Sequence, residues 1–182
     1  MICKDNSQLS IYCGGLSDLP QINEIIGAAV DAWPLPARLR RLTAPLLKYK
    51  ATDLLDLEFL IACLATSTQT TAQPTPVGIA AWDFSNIYTG PGEYRSALLH
   101  GLYVTPSHQH HGVGGALQQA TYTRAFAKGR TAMLVKAERV SASYFQQCGY
   151  HGLSSDEIDI ADYPYLYWHP ISARVHSSAF EQ

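Results

Sequence analysis

Residues 97 to 129 run from an apolar stretch, ALLHGLYV, through the glycine-rich segment HQHHGVGGAL and into GVGGALQQATYTRAFAKG. The first stretch is built for a strand, and in the last Val113, Ala116, Leu117 and Ala120 recur at helical spacing. A strand that passes through glycines into a helix constrains the fold more than any other feature here. It calls for α/β construction and turns the unpaired N–H groups of a helix start toward the end of a strand. Glycine at 112, 114 and 115 removes the Cβ atoms that would keep a diphosphate from those amides, and the helix dipole favours an anion at the same place. The glycines fall as GxGG, so the dinucleotide pattern GxGxxG is not met, and no Lys-Ser or Lys-Thr pair completes a P-loop. His108, His110 and His111, with His100, bring zinc to mind. Neighbouring loop histidines rarely converge without a Cys, Asp or Glu beside them, and no metal is expected.

The flanking sequence continues the alternation. LSIYCGG reads as a first strand, and SDLPQINEIIGAAVDAW as a helix capped by Ser17. PLPARLRRLTAPLLKYK, broken by Pro34, Pro36 and Pro45, reads as short, irregular helical turns over a cleft. LEFLIACLA and PVGIAAWDF are two strands joined by TSTQTTAQPTP, expected to be a mobile hairpin tip. AMLVKAE is a further strand, SASYFQQCG a short helix stopped by Gly149, and YHGLSSDEIDI with YLYWHPI an antiparallel pair. With 182 residues, 47% of them hydrophobic and 15% charged, the whole chain is expected to form a single domain with a real core. Cys3, Cys13, Cys63 and Cys148 form no CxxC pair, and MICKDNSQ lacks the build of a secretory signal, so a reduced, cytoplasmic setting is expected. The most apolar region, LLDLEFLIACLA, contains Asp56 and Glu58 and falls short of the ~18 apolar residues of a membrane span. The net charge of −2 hides a basic middle: from Ser96 to Ser155 five Lys and Arg stand against Glu138 alone. That asymmetry suits an anionic ligand held centrally, although surface variation explains it equally well.

The glycine segment also matches QxxGxG, as Gln109, Gly112 and Gly114. Downstream, SASYFQQCGY ends a short helix with Phe145, three variable residues, Gly149 and Tyr150. In these two landmarks, in this order, the sequence resembles the GNAT superfamily of acyl-CoA-dependent N-acyltransferases. The resemblance covers about Leu98 to Tyr150, with element order supporting it elsewhere. It implies a mixed, mostly antiparallel sheet of six to seven strands flanked by helices, splayed between its fourth and fifth strands. It also implies acetyl-CoA or coenzyme A as acyl donor and an amine as acceptor. The main chain of Leu102, Tyr103 and Val104 would pair with the pantetheine arm. Amides of Gln109, His110, His111, Gly112, Val113, Gly114, Gly115 and Ala116 would hold the diphosphate, with Ser143 and Phe145 completing the coenzyme A contacts.

An amine acceptor needs a base, since an alkylammonium with a pKa of roughly 10.4 cannot attack a thioester. His100, on the strand parity of Leu98, Leu102 and Val104, is the first candidate, with a hydrogen-bonded core histidine as the plain alternative. Asp83 and Glu93 are held in reserve. Many relatives carry a tyrosine four residues before the motif glycine to protonate the leaving sulfur. Here that position is Phe145, with Tyr144 beside it as a weaker candidate acid. The aromatic run YPYLYWHP could stack a ligand, but such residues at strand spacing more often pack a sheet or a homodimer contact. The acidic residues Asp156, Glu157, Asp159 and Asp162 could attract an amine or simply form a solvated hairpin. The acceptor stays open among small amines, amino acids, aminoglycosides, polyamines and protein N-termini, and no nucleic acid or membrane partner is expected. The alternative to an enzyme is a domain of this fold that binds acyl-CoA as a sensor or partner-binding module.

Overall fold

Long apolar runs become the inner strands, and amphipathic runs become the helices laid on them. The computed structural model describes residues 8–65, 74–84, 94–153 and 166–172. The elements follow as β1 (Gln8–Gly14), α1 (Leu19–Asp31), α2 (Ala37–Leu47), β2 (Glu58–Ala65), β3 (Thr75–Phe84), β4 (Ser96–Val104), α3 (Val113–Ala127), β5 (Ala132–Lys136), α4 (Ala142–Gln147), β6 (His151–Gly152) and β7 (Leu166–Pro170). The strands form a mixed sheet in the order β1-β2-β3-β4-β5-β7-β6. β1 and β2 pair antiparallel, as do β5 and β7, and β6 and β7, while β4 and β5 run parallel. The parallel pairing extends from Ser96 with Ala132 to Leu99 with Val135, and β4 itself continues to Val104. Residues 66–73 of the expected hairpin tip, Glu93 and the acidic run lie outside the described residues, and the end of that tip, Thr75 and Pro76, already belongs to β3.

The described residues divide between two compact units, one within Met1–Ala81 and Gly101–Gln118, the other within Trp82–His100 and Gln119–Gln182. In the first, α1 buries Ile22, Ile25, Ile26, Ala29 and Val30 against Phe59, Ile61 and Cys63 of β2 and Ile79 and Ala81 of β3. These strand residues lie two apart, which places them on one face of the sheet. In the second, β5 is buried along Ala132–Val135 and lies beside β7. Of the aromatic run, residues 166–170 form β7, which pairs with β5 and with β6, and the Trp168 ring meets those of Tyr94 and His151, while the residues before 166 lie outside the described ones.

Two local expectations are corrected. Ser17 does not cap α1. It sits inside a single 3-10 turn, Leu16–Asp18, in which the Asp18 carboxylate accepts the Gly15 N–H at 2.8 Å, and α1 starts at Leu19. The proline-rich stretch forms one eleven-residue helix, α2, rather than broken turns. Pro36 stands just ahead of the first turn, where a missing N–H leaves no bond unmade, and Pro45 falls in the last turn, so it removes one bond near an end that frays anyway. The Arg40 guanidinium reinforces the entry, donating to the Leu35 carbonyl at 2.6 Å. Among the described residues no helix is long and apolar enough to cross a membrane, and Cys13, Cys63 and Cys148 are free thiols.

Candidate active site

In the first unit, the chain leaving β4 is tied down before it reaches the glycines. Thr105 donates both its N–H and its hydroxyl to the Val77 carbonyl, at 2.9 and 3.2 Å. A 3-10 turn over Pro106–His108 follows, and the Gln109 side-chain amide reaches back to the Val104 carbonyl at 3.1 Å. His110 then takes a left-handed conformation at φ 63°, and Gly112 does so at φ 81°. Histidine tolerates this region at a cost of roughly 1 to 2 kcal/mol, while glycine enters it freely. Left-handed residues at alternate positions are the kind of backbone from which an anion nest is built. The His111 ring closes the turn, its Nδ1 donating to the Gln109 carbonyl at 2.7 Å. His108 turns inward, with Nδ1 at 2.8 Å from the Thr105 hydroxyl and 2.9 Å from that of Ser107.

The bond from Ala116 N–H to the Gly112 carbonyl, 2.9 Å, closes the first turn of α3. Among the described residues the N–H groups of Val113, Gly114 and Gly115 meet no carbonyl, as expected of the first turn of a helix. Below them Val113 and Leu117 are buried, and Gly78 of β3 lets them close in: a Cβ there would lie 3.1 Å from Val113 and 3.0 Å from Leu117. On the loop the situation is reversed. A Cβ at Gly112 or Gly115 would meet nothing within 4 Å. The left-handed φ accounts for glycine at 112. No packing or φ requirement accounts for it at 115, where it costs up to ~1 kcal/mol against alanine, so the open space itself is the feature retained. Upstream in β4, Leu102 and Val104 are half-buried and Tyr103 is buried.

The second unit holds the catalytic candidates. His100 is exposed on β4, between buried Leu99 and Gly101. Its Nε2 lies 3.2 Å from Oδ1 of Asp83, with 33% and 28% of the two side chains exposed. That oxygen is buried and accepts no hydrogen bond among the described residues, and the imidazole is the polar group beside it. Asp83, a reserve base in the sequence, is thus placed beside the first candidate. His100 Nδ1 makes no hydrogen bond among the described residues. Nε2 is the nitrogen that lies against the carboxylate, which leaves Nδ1 as the ring nitrogen open to another partner. No group of three potential metal ligands gathers among the described residues.

On α4, Ser143 is exposed and Tyr144 is half-buried. Burial, followed by the neighbouring Cys148, pushes the Tyr144 phenol well above its ordinary pKa, so it holds its proton tightly. Phe145 is 4% exposed and lies edge-on to Tyr144 and to Tyr150, with centroids 5.2 and 5.3 Å away. Gly149, at φ 82°, ends the helix as its position suggests. Beneath it is a cluster that sequence reasoning missed: Tyr122 donates its hydroxyl to Tyr150 at 2.8 Å, and His169 stacks on both rings, with Nδ1 3.1 Å from the Gly149 carbonyl. The three residues are 28 and 19 positions apart in the chain, and no spacing rule joins them.

No curated protein sequence matches this chain significantly. Among solved structures, the PaiA N-acetyltransferase of Thermoplasma acidophilum in complex with coenzyme A is similar at a TM-score of 0.68 and 15% identity, over 90% of this chain and 99% of that one. A GNAT family acetyltransferase of Brucella melitensis in complex with acetyl-CoA follows at 0.57 and 16%, over 91% and 89%. An aminoglycoside N-acetyltransferase in complex with coenzyme A gives 0.58 and 16%, over 84% and 94%. These likenesses establish a shared fold. The model of the acetyltransferase (GNAT) family matches residues 40–150, a span that includes the unfilled amides of α3, the His100–Asp83 pair and the α4 turn, and the chain belongs to that family.

Proposed function

We propose that residues 1–182 act as one cytoplasmic N-acyltransferase domain, which moves an acetyl or other short acyl group from coenzyme A to a primary amine by direct transfer in a ternary complex. The observation that carries this reading is the row of unfilled amides at Val113, Gly114 and Gly115, beside glycines whose missing Cβ atoms leave open space. A diphosphate supplies the charge and the acceptor oxygens that such a row suits. Fold relatives in complex with coenzyme A or acetyl-CoA support the same donor here. In this reading the main chain of Leu102 to Val104 pairs with the pantetheine arm, and amides from Gln109 to Ala116 hold the diphosphate.

The acceptor reaches the thioester as ammonium and must lose a proton. His100 takes it at Nδ1, directly or through a water, while Asp83 against Nε2 stabilises the imidazolium that forms. The amine nitrogen bonds to the carbonyl carbon, and the oxyanion that develops is met by main-chain N–H groups of β4. Collapse breaks the C–S bond, the thiolate leaves with the electron pair, and the nitrogen, cationic since its attack, gives its second proton to water. Phe145 offers no proton, and the raised pKa of Tyr144 makes it a reluctant acid, so water protonates the thiolate.

Thiol release from acetyl-CoA, with a panel of polyamines, aminoglycosides, amino acids and peptides, tests the reading. Amine-dependent release with an N-acetylated product in mass spectrometry is expected. Tight coenzyme A binding with no release for any amine would replace the enzyme with an acyl-CoA sensor.

A further inference from the structure

Tyr49, between α2 and β2, is held with unusual care for a residue outside the regular elements. Its N–H donates to Oδ1 of Asn23, and Nδ2 of Asn23 donates to its carbonyl, both at 2.9 Å, so one side chain of α1 clamps both sides of its peptide. Its ring stands edge-on to Phe59, centroids 4.9 Å apart. The hydroxyl then arrives over Gly101 of β4, where a Cβ would lie only 2.7 Å from it and 2.5 Å from Cε2 of Tyr103. Only glycine at 101 admits the phenol there. Yet among the described residues the hydroxyl makes no hydrogen bond. A phenol fixed so firmly usually ends on a partner.

Gly101 precedes the segment proposed to pair with the pantetheine arm. An arm paired with a strand lies in the plane of the sheet, whereas a Cβ projects across that plane. Tyr49 occupies the Cβ direction of Gly101 and so looks onto the main chain from a face. An acceptor that approaches the main chain of β4 from that face would meet the phenol.

We propose, building on the acyltransferase reading, that Tyr49 binds and orients the acceptor amine: its hydroxyl oxygen accepts one amine N–H and leaves the nitrogen lone pair free for the thioester. Burial, then Tyr103 and Asp53, push the phenol far above its ordinary pKa, so it stays neutral and orients the amine without deprotonating it. The class of acceptor is therefore a primary amine, with an N–H to spare beyond the one lost in transfer.

Steady-state kinetics of Tyr49→Phe with spermidine, kanamycin and an alanyl peptide, at saturating acetyl-CoA, tests this. The KM for the amine should rise and kcat/KM for it fall about three- to tenfold, as for one lost hydrogen bond, with KM for acetyl-CoA and Tm unchanged. Gly101→Ala, whose Cβ would displace both the phenol and the buried Tyr103 ring, should raise the amine KM and lower Tm as well, so Tyr49→Phe is the deciding variant. An unmoved amine KM in Tyr49→Phe, or both KM values rising with a lowered Tm, overturns the assignment to Tyr49 alone. A wild-type protein that releases no thiol with any of the three amines overturns the acyltransferase reading, and this inference with it.

Discussion

The loop from Thr105 to Ala116 and the segment from Ala142 to Tyr150 carry the two family signatures, and they use their residues in opposite ways. In the loop, side chains serve the backbone: Gln109, Thr105 and His111 are spent on main-chain carbonyls, while the amides at the start of α3 are left unfilled. In the segment, the side chains serve one another. Phe145 is sunk between Tyr144 and Tyr150, and the Tyr150 hydroxyl is already taken by Tyr122. A structure that leaves donors unfilled and space empty is prepared for something from outside. One that fills both is holding itself together.

Three variants would break or sharpen this contrast. The largest effect is expected from Gly114→Val, which puts a branched side chain where the loop needs none. Coenzyme A binding by calorimetry should vanish while circular dichroism and Tm stay close to wild type, and unchanged affinity in a folded variant would remove the loop from the binding site. His100→Gln comes next. Turnover should fall by ~10² to 10⁴, the range for a lost general base, with coenzyme A affinity nearly kept and partial rescue by added imidazole. Wild-type turnover would return the histidine to a structural role. The smallest effect is expected from Tyr144→Phe, at less than about tenfold in turnover, because its tightly held proton makes it a poor donor to sulfur. A larger loss at unchanged Tm would mean that the α4 segment does chemistry after all, and the contrast would fail.

What the sequence disclosed, and what it hid, follows the range of the interactions involved. β2, β3, β4 and β5 are legible because each contains a run of three or more buried apolar residues, and α3 because its stripe starts at the glycines. The loop is legible for the same reason: its function lies in consecutive residues. α2 was misread because prolines were counted without regard to where in the helix they fall, and Ser17 because a 3-10 turn intervenes before α1. The pairing of His100 with Asp83 depends on how two strands come together, and periodicity within either strand says nothing about that. Tyr49 lies in LKYK, a stretch with no period at all. Its position comes from Asn23, twenty-six residues earlier, and from a glycine far downstream.

The left-handed turn at His110 has a consequence for how tightly the loop can hold an anion. The loop's bends are set by its own φ angles and by bonds from Thr105, Gln109 and His111, so its conformational entropy was surrendered when the protein folded. An incoming ligand has little left to freeze. Ordering a flexible loop on arrival would cost about 1 to 2 kcal/mol per residue, and over even three residues that amounts to a factor of more than a hundred in affinity. Histidine at 110 is the small standing cost of that rigidity, and glycine there would relax the turn while returning freedom to the unfolded chain.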